Sequence, residues 1–184
     1  MPSYLPHQQA ETLRGEIRKT LQLLDKLDRF YREFQHRDLP KLGRGPSAAI
    51  VVAGILENVY TCAETLFMRI SQAFENHLPP DRWHRELLAR MTLHIAGLRE
   101  HVLEDDTQAC LLELMKFRHF RRYYFEFDYD WDRLEFLLKK YEALQTLLPR
   151  DLERFDQFLA ALVQATTGTA PQKHVPPRRK TRTT

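Results

Sequence analysis

The sequence has few cysteines and no cluster of metal ligands. Its two cysteines, Cys62 and Cys110, lie in separate apolar stretches, and its eight histidines are scattered. Neither an HExxH segment nor a paired Glu-x-x-His set occurs, so the spacing supports no metal site and no disulfide framework. At 184 residues the chain is long enough to bury a core without either. We therefore expect no cofactor and a reducing, cytoplasmic environment.

Several familiar signatures are also missing. The sequence contains no glycine-rich phosphate loop and no nucleophile elbow. Asp128, Asp130 and Asp132 resemble the start of a calcium loop, but the glycine and the glutamate that complete such a loop are absent. No uninterrupted apolar run approaches roughly 18 residues, and the first residues lack a basic region followed by an apolar core. We expect a soluble protein with no membrane contact.

Strong net charge is absent as well. The formal net charge is +3, and much of it comes from the last dozen residues, where five basic residues meet no acid. Bulk charge therefore gives little support for nucleic-acid binding by the body of the protein. The Thr-, Pro- and basic-rich composition from Thr166 onward predicts a helical domain over residues 1–165 and a disordered tail over 166–184.

Apolar residues recur at helical spacing along most of the chain. They predict an amphipathic helix over 8–36, a loop over 36–47 and a very apolar central helix over 47–77. In the central helix we expect Gly54 to permit close approach of a neighbour. Glu57 and Tyr60 are polar exceptions on that helix. They are either solvated or border a functional groove.

The second half of the chain continues the helical pattern. A short helix is predicted over 82–94, and a longer one, capped by Asp105 or Asp106, leads up to Arg118. The last helix begins after a cap at Asp130, is kinked or restarted by Pro149, and ends near residue 165. The whole pattern predicts an all-α, up-and-down bundle of five or six helices.

One segment is unlike a generic helical scaffold: Lys116 to Arg133, KFRHFRRYYFEFDYDWDR. Arg118, Arg121 and Arg122 stand three and four residues apart, so all three can project from one side of a helix. Grouped guanidinium groups match phosphate geometry, and the neighbouring aromatic rings can stack on bases. The segment therefore favours an RNA-facing or partner-facing site. The alternative is a solvated basic helix end that pairs with nearby acids such as Glu126, Asp128 or Asp130.

Four blocks of sequence carry a resemblance to a known family. They are AGILENVYTCAETLF (53–67), WHRELLARM (83–91), FRHFRRYY (117–124) and the pattern D-x-D-x-x-R-L (128–134). In this order they resemble the HepT-like members of the HEPN superfamily, and the similarity covers roughly residues 10–165. The resemblance implies a helical bundle that forms a homodimer and is encoded beside a minimal nucleotidyltransferase, its antitoxin.

The resemblance also implies a chemistry. Active members cleave RNA without a metal ion at a dimer cleft that holds an arginine, four to six residues and a histidine, often followed by x-Tyr. The arginine holds the scissile phosphate, and the histidine moves the 2′-hydroxyl proton, a task that suits a reference pKa near 6.5. The antitoxin can silence the protein by adding AMP to the tyrosine.

The motif carries over to this chain only in part. Arg118 falls on the motif arginine, but Tyr123 stands where the histidine is expected, and Phe125 stands at the tyrosine position, with Tyr124 beside it. Because an unperturbed tyrosine has a pKa near 10, Tyr123 is a poor base at neutral pH. His119 is the only nearby histidine in the sequence, but it points about a hundred degrees away from Arg118 around the helix.

Two hypotheses about function follow. In the first, the protein is a HepT-like, metal-independent ribonuclease that uses Arg118, with Tyr123 or His119 as the proton-transfer group and Arg121 and Arg122 as further RNA contacts. In the second, it is a non-catalytic module that binds RNA or the nucleotidyltransferase. Under both, Tyr124 or Tyr123 is a candidate acceptor for AMP.

Overall fold

A computed structural model describes residues 5–75, 83–124 and 129–167, and most of these residues are helical. The chain forms α1 (His7–Glu33), a π-helical turn (Phe34–Asp38), α2 (Leu39–Leu42), α3 (Pro46–Phe74), α4 (Trp83–Met91), α5 (Asp105–Tyr124) and α6 (Trp131–Thr167). The prediction of an all-α bundle of five or six helices is confirmed. The predicted tail lies outside the described residues from position 168 onward.

Helix α3 is the centre of the bundle. It contacts α1, α4, α5 and α6, and its buried residues, from Ala48 to Ser71, occur around much of its circumference. A helix that is apolar nearly all round must be covered by other elements. By length and composition alone α3 could cross a membrane, but 56% of its most apolar window is buried inside the protein. This is the packing of a core helix.

The two longest amphipathic helices, α1 and α6, pack against each other and against α3. Tyr31 of α1 and Tyr141 of α6 meet edge to face, with ring centroids 5.2 Å apart. Both side chains are buried. An aromatic pair of this kind adds stabilisation beyond that gained from the area it buries. Helix α5 packs against α3 and α6, and α4 packs against α3 and α5.

The segment between α1 and α3 differs from the prediction. Instead of a loop over 36–47, the chain continues through the π-helical turn into the short helix α2. Pro40 lies in the first turn of α2. A backbone N–H at this position has no partner within the helix, so the N–H that proline lacks costs no hydrogen bond. Gly43 ends α2 with a φ of +65°, a conformation that glycine adopts without strain. The two prolines and two glycines of this segment predict turns, but four of its residues, Leu39–Leu42, form a helix.

Helix α6 runs without interruption through Pro149, so of the two predicted outcomes, a kink or a restart, the restart is excluded. Proline removes one backbone hydrogen bond, but Leu148, Asp151 and Leu152 around it are all buried. The Asp151 carboxylate receives hydrogen bonds from the Glu104 backbone N–H, at 2.9 Å, and from the Thr107 hydroxyl. Packing and these bonds therefore hold the helix across the proline.

Two predicted details at helix ends can be compared with the structure. Asp130 caps α6 as predicted, because its Oδ1 accepts the Asp132 backbone N–H at 3.0 Å. Asp105 and Asp106 lie within the first turn of α5 instead of at its cap. There their negative charges interact favourably with the positive end of the helix dipole.

Gly54 does not serve a close backbone approach. A Cβ at this position would meet the tip of the Arg121 side chain at 3.8 Å, which is an ordinary contact. The prediction that this glycine lets a neighbouring helix come near is therefore wrong.

The connector between α4 and α5 is fixed by Arg99, whose side chain is completely buried. Its guanidinium donates to Glu75 at the end of α3, at 2.9 Å, and to the backbone carbonyls of Arg90 and Leu93, at 2.8 and 3.0 Å. A buried charge is stable only when it is paired and hydrogen-bonded in this way. Arg99 therefore holds α4 against the end of α3 and fixes its position beside α5.

Candidate functional site

A buried carboxylate lies at the junction of α3, α4 and α5. Glu64 of α3 is 5% exposed. It accepts a hydrogen bond from the Tyr60 hydroxyl at 3.0 Å, contacts Nδ1 of His84 at 2.5 Å and pairs with Nη1 of Arg118. Burial raises the pKa of the Tyr60 phenol well above its usual range, so this hydroxyl remains a donor. Three helices thus contribute partners to one carboxylate.

Arg118 is itself buried, with 7% exposure. Its guanidinium carbon lies 5.3 Å from the centroid of the Tyr60 ring, within the range of a cation–π contact. One polar atom, Nε, is buried and has no hydrogen-bond partner among the described residues. A buried donor of this kind costs free energy unless a ligand or water binds it.

A second acid on α3 pairs with the next turn of α5. Glu57 lies 2.7 Å from Nη1 of Arg121 and 3.7 Å from Nε of Arg122. These arginines are progressively more exposed: 24% of the Arg121 side chain and 55% of the Arg122 side chain face solvent. The basic face of α5 is therefore matched to acids on the central helix. Of the acids expected as partners, Glu126 and Asp128 lie outside the described residues.

A small cavity opens beside the buried ion pair. It has a volume of about 210 Å³ and is lined by His84, Met115, Arg118, His119 and Arg122. The rings of His84 and His119 meet edge to face with their centroids 6.0 Å apart. All of the polar residues that line it in the described part of the chain are of basic type, which suits an anionic group.

The structure brings together some of the predicted site residues. Arg118, Arg122 and His119 share the cavity, although His119 was expected on a different side of the helix from Arg118. Arg121 is not among the described residues that line the cavity, and its Nη1 pairs with Glu57 of α3. The side chains of Tyr123 and Tyr124 lie outside the described residues, although α5 extends to Tyr124. Phe125 lies outside them entirely.

Sequence reasoning missed His84 as a site residue. It lies in the first turn of α4, far from the arginine segment in sequence. Glu64, a charged residue on an otherwise buried face, was the signal that could have revealed a partner from another helix. In the part of the chain that the structure describes, no group of three or more His, Cys, Asp or Glu side chains is arranged to hold a metal ion.

The described structure is thus that of an all-α bundle with a basic cavity lined by residues of α4 and α5. A family model described as "HepT-like protein" matches residues 51–159, which is more than half of the chain and contains the whole site. The chain belongs to this family of HEPN-type proteins, which is related to toxin–antitoxin systems. Searches of the curated proteins and of the solved structures gave no significant match.

Proposed function

We propose that the protein is a cytoplasmic, homodimeric, RNA-directed component of a toxin–antitoxin system. It cleaves RNA without a metal ion and is controlled by a minimal nucleotidyltransferase partner. The observation that carries this proposal is the basic cavity, which combines Arg118 with two histidines in a protein of the HepT-like family.

Arg118 is paired with Glu64 but keeps one donor without a partner among the described residues, which supports a role in binding a phosphate. Nη1 contacts Glu64, and Nε is buried without a partner among the described atoms. A phosphate oxygen can reach this buried donor only if the Arg118 side chain moves, and Arg122, whose side chain is 55% exposed, would add a second charge at the rim of the cavity. RNA binding by these residues should therefore weaken as salt is added.

A second candidate function is binding without cleavage. Two observations favour it: the motif position 123 carries tyrosine in place of histidine, and the Glu64 carboxylate already neutralises the charge of Arg118. In this case the protein keeps the bundle and the basic cavity, and it holds RNA or the nucleotidyltransferase without turnover.

Control by the partner would act through a tyrosine. Tyr124 and Tyr123 are at the carboxyl end of α5, directly after Arg121 and Arg122. AMP on either phenol would bring a negative charge to these arginines and compete with RNA phosphates. After co-expression with the nucleotidyltransferase, mass spectrometry should find one AMP on Tyr124 or Tyr123. An unmodified peptide under conditions where the partner is active contradicts this assignment.

The proposal is tested with purified full-length protein, RNA and excess EDTA. Light scattering should give the mass of a dimer, and RNA should be cleaved without metal. The matched variant is Arg118→Lys, which keeps a cation beside Glu64 but loses the guanidinium. Loss of cleavage in this variant supports the site, whereas full activity contradicts it. RNA retention without any cleavage by the natural protein favours the binding function.

A further inference from the structure

The histidine pair is the feature of the site that the Arg118 motif does not account for. His84 comes from α4 and His119 from α5, and the fold places their rings 6.0 Å apart on one cavity that also contains Arg118. Cleavage of RNA by attack of the 2′-hydroxyl requires one group that removes a proton and one that donates a proton. Imidazoles suit both tasks, because their reference pKa lies near neutral pH.

His84 is held in a fixed orientation. Its Nδ1 contacts the Glu64 carboxylate at 2.5 Å, and that carboxylate is itself fixed by Tyr60 and Arg118. A carboxylate at one ring nitrogen sets the tautomer and the direction of the ring, so that the opposite nitrogen can exchange a proton with a substrate. The contact is also largely buried, since only 23% of the His84 side chain and 6% of the Glu64 side chain are exposed.

We infer that His84 and His119 are the proton-transfer groups of RNA cleavage in this protein, with Glu64 as the positioning residue of His84. The inference rests on the proposed ribonuclease function and replaces Tyr123 as the source of acid–base chemistry. Tyrosine at position 123 is then compatible with activity, because the proton-transfer groups come from α4 and from the preceding turn of α5.

The reaction balances with these groups alone. One imidazole takes the proton of the 2′-hydroxyl while the 2′-oxygen forms a bond to phosphorus. The bond from phosphorus to the 5′-oxygen of the next nucleotide breaks, and the second imidazole, in its protonated form, gives its proton to that oxygen. The products are a 2′,3′-cyclic phosphate and a 5′-hydroxyl. Arg118 binds the phosphate, whose charge increases in the transition state.

The experiment compares wild-type full-length protein with His84→Gln, His119→Gln and Glu64→Gln on an RNA oligonucleotide in EDTA. The matched control is His94→Gln, because His94 is an exposed histidine whose partner is Glu100, away from the cavity. We expect a bell-shaped pH–rate profile for the wild type and a cyclic phosphate on the product. Loss of either imidazole should lower the rate about 100-fold or more and remove one limb of the profile.

The remaining variants separate a positioning role from a structural one. Glu64→Gln should lower kcat and alter the pH profile without weakening RNA binding, because it removes the charge that neutralises Arg118, whereas His94→Gln should behave as the wild type. Because the His119 side chain is exposed, its substitution should leave the melting temperature unchanged. The cleavage rate of His119→Gln therefore tests the inference even if His84→Gln is unstable.

Two results overturn the inference, and they can be told apart. If both histidine variants cleave RNA at the wild-type rate while Arg118→Lys does not, the proposed function stands and the acid–base groups lie elsewhere. If the wild-type protein cleaves no RNA between pH 5 and pH 9, both the ribonuclease function and the histidine pair are wrong.

Discussion

Arg118 of α5 and Glu64 of α3, 54 residues apart in sequence, form a buried ion pair at the centre of the candidate site. The arginine predicted from the sequence as the motif arginine is therefore also part of the core. Only 9% of its side chain and 6% of the Glu64 side chain are exposed. Substitutions at either position will change folding as well as function, so activity measurements need a stability control.

The first prediction concerns the stability of this pair. Arg118→Ala leaves a buried carboxylate without its cationic partner, which should lower the free energy of unfolding by about 3 kcal/mol. Urea denaturation measures this loss. Arg121→Ala is the matched control, because about a quarter of each side chain in the Arg121–Glu57 pair is exposed, and it should cost under about 1 kcal/mol. Equal losses in the two variants would contradict the assigned difference in burial.

The second prediction uses the open space at Gly54. Since an added Cβ meets the nearest described atom at 3.8 Å, Gly54→Ala should raise the free energy of unfolding by about 0.5–1 kcal/mol through helix propensity. Gly15→Ala in α1 is the control, because its Cβ meets nothing within 4 Å. The two gains should agree. Destabilisation by Gly54→Ala alone would show that α3 and α5 pack more closely there.

The third prediction concerns alkaline pH. Burial raises the pKa of Tyr141 to about 12, above the value near 10 of an unfolded tyrosine. The stabilisation that follows is fully present below pH 10 and is lost as the pH rises from 10 to 12. The midpoint of urea unfolding should therefore fall over this interval. Tyr141→Phe should fall less steeply, whereas identical slopes for the two proteins would contradict the prediction.

Much of the fold could be predicted from the sequence because helical periodicity is a local signal. The central position of α3 followed from apolar residues around its circumference, and the cap at Asp130 followed from its place before a periodic run. The short helix before α3 and the continuation of α6 through Pro149 could not be predicted from local periodicity. At Pro149 the buried neighbours Asp151 and Leu152 compensate for the missing hydrogen bond, and that compensation depends on tertiary contacts.

The candidate site could be predicted only for the part that is contiguous in the chain. Arg118, His119 and Arg122 stand together in one segment, so their clustering was visible. Glu64 and His84 come from two other helices, and their meeting with Arg118 depends on how α3, α4 and α5 pack. A charged residue on a buried helical face signals that a partner exists, but it does not say which residue the partner is.

The most direct test of the account is the rate of metal-free RNA cleavage by the purified protein, measured beside Arg118→Lys and Tyr123→His. We predict that the wild type cleaves RNA in EDTA and that Arg118→Lys, assayed well below its own melting temperature, is about 100-fold slower or worse. Cleavage that appears only when Tyr123→His restores the motif would contradict the account, because the natural protein would then be a binding module.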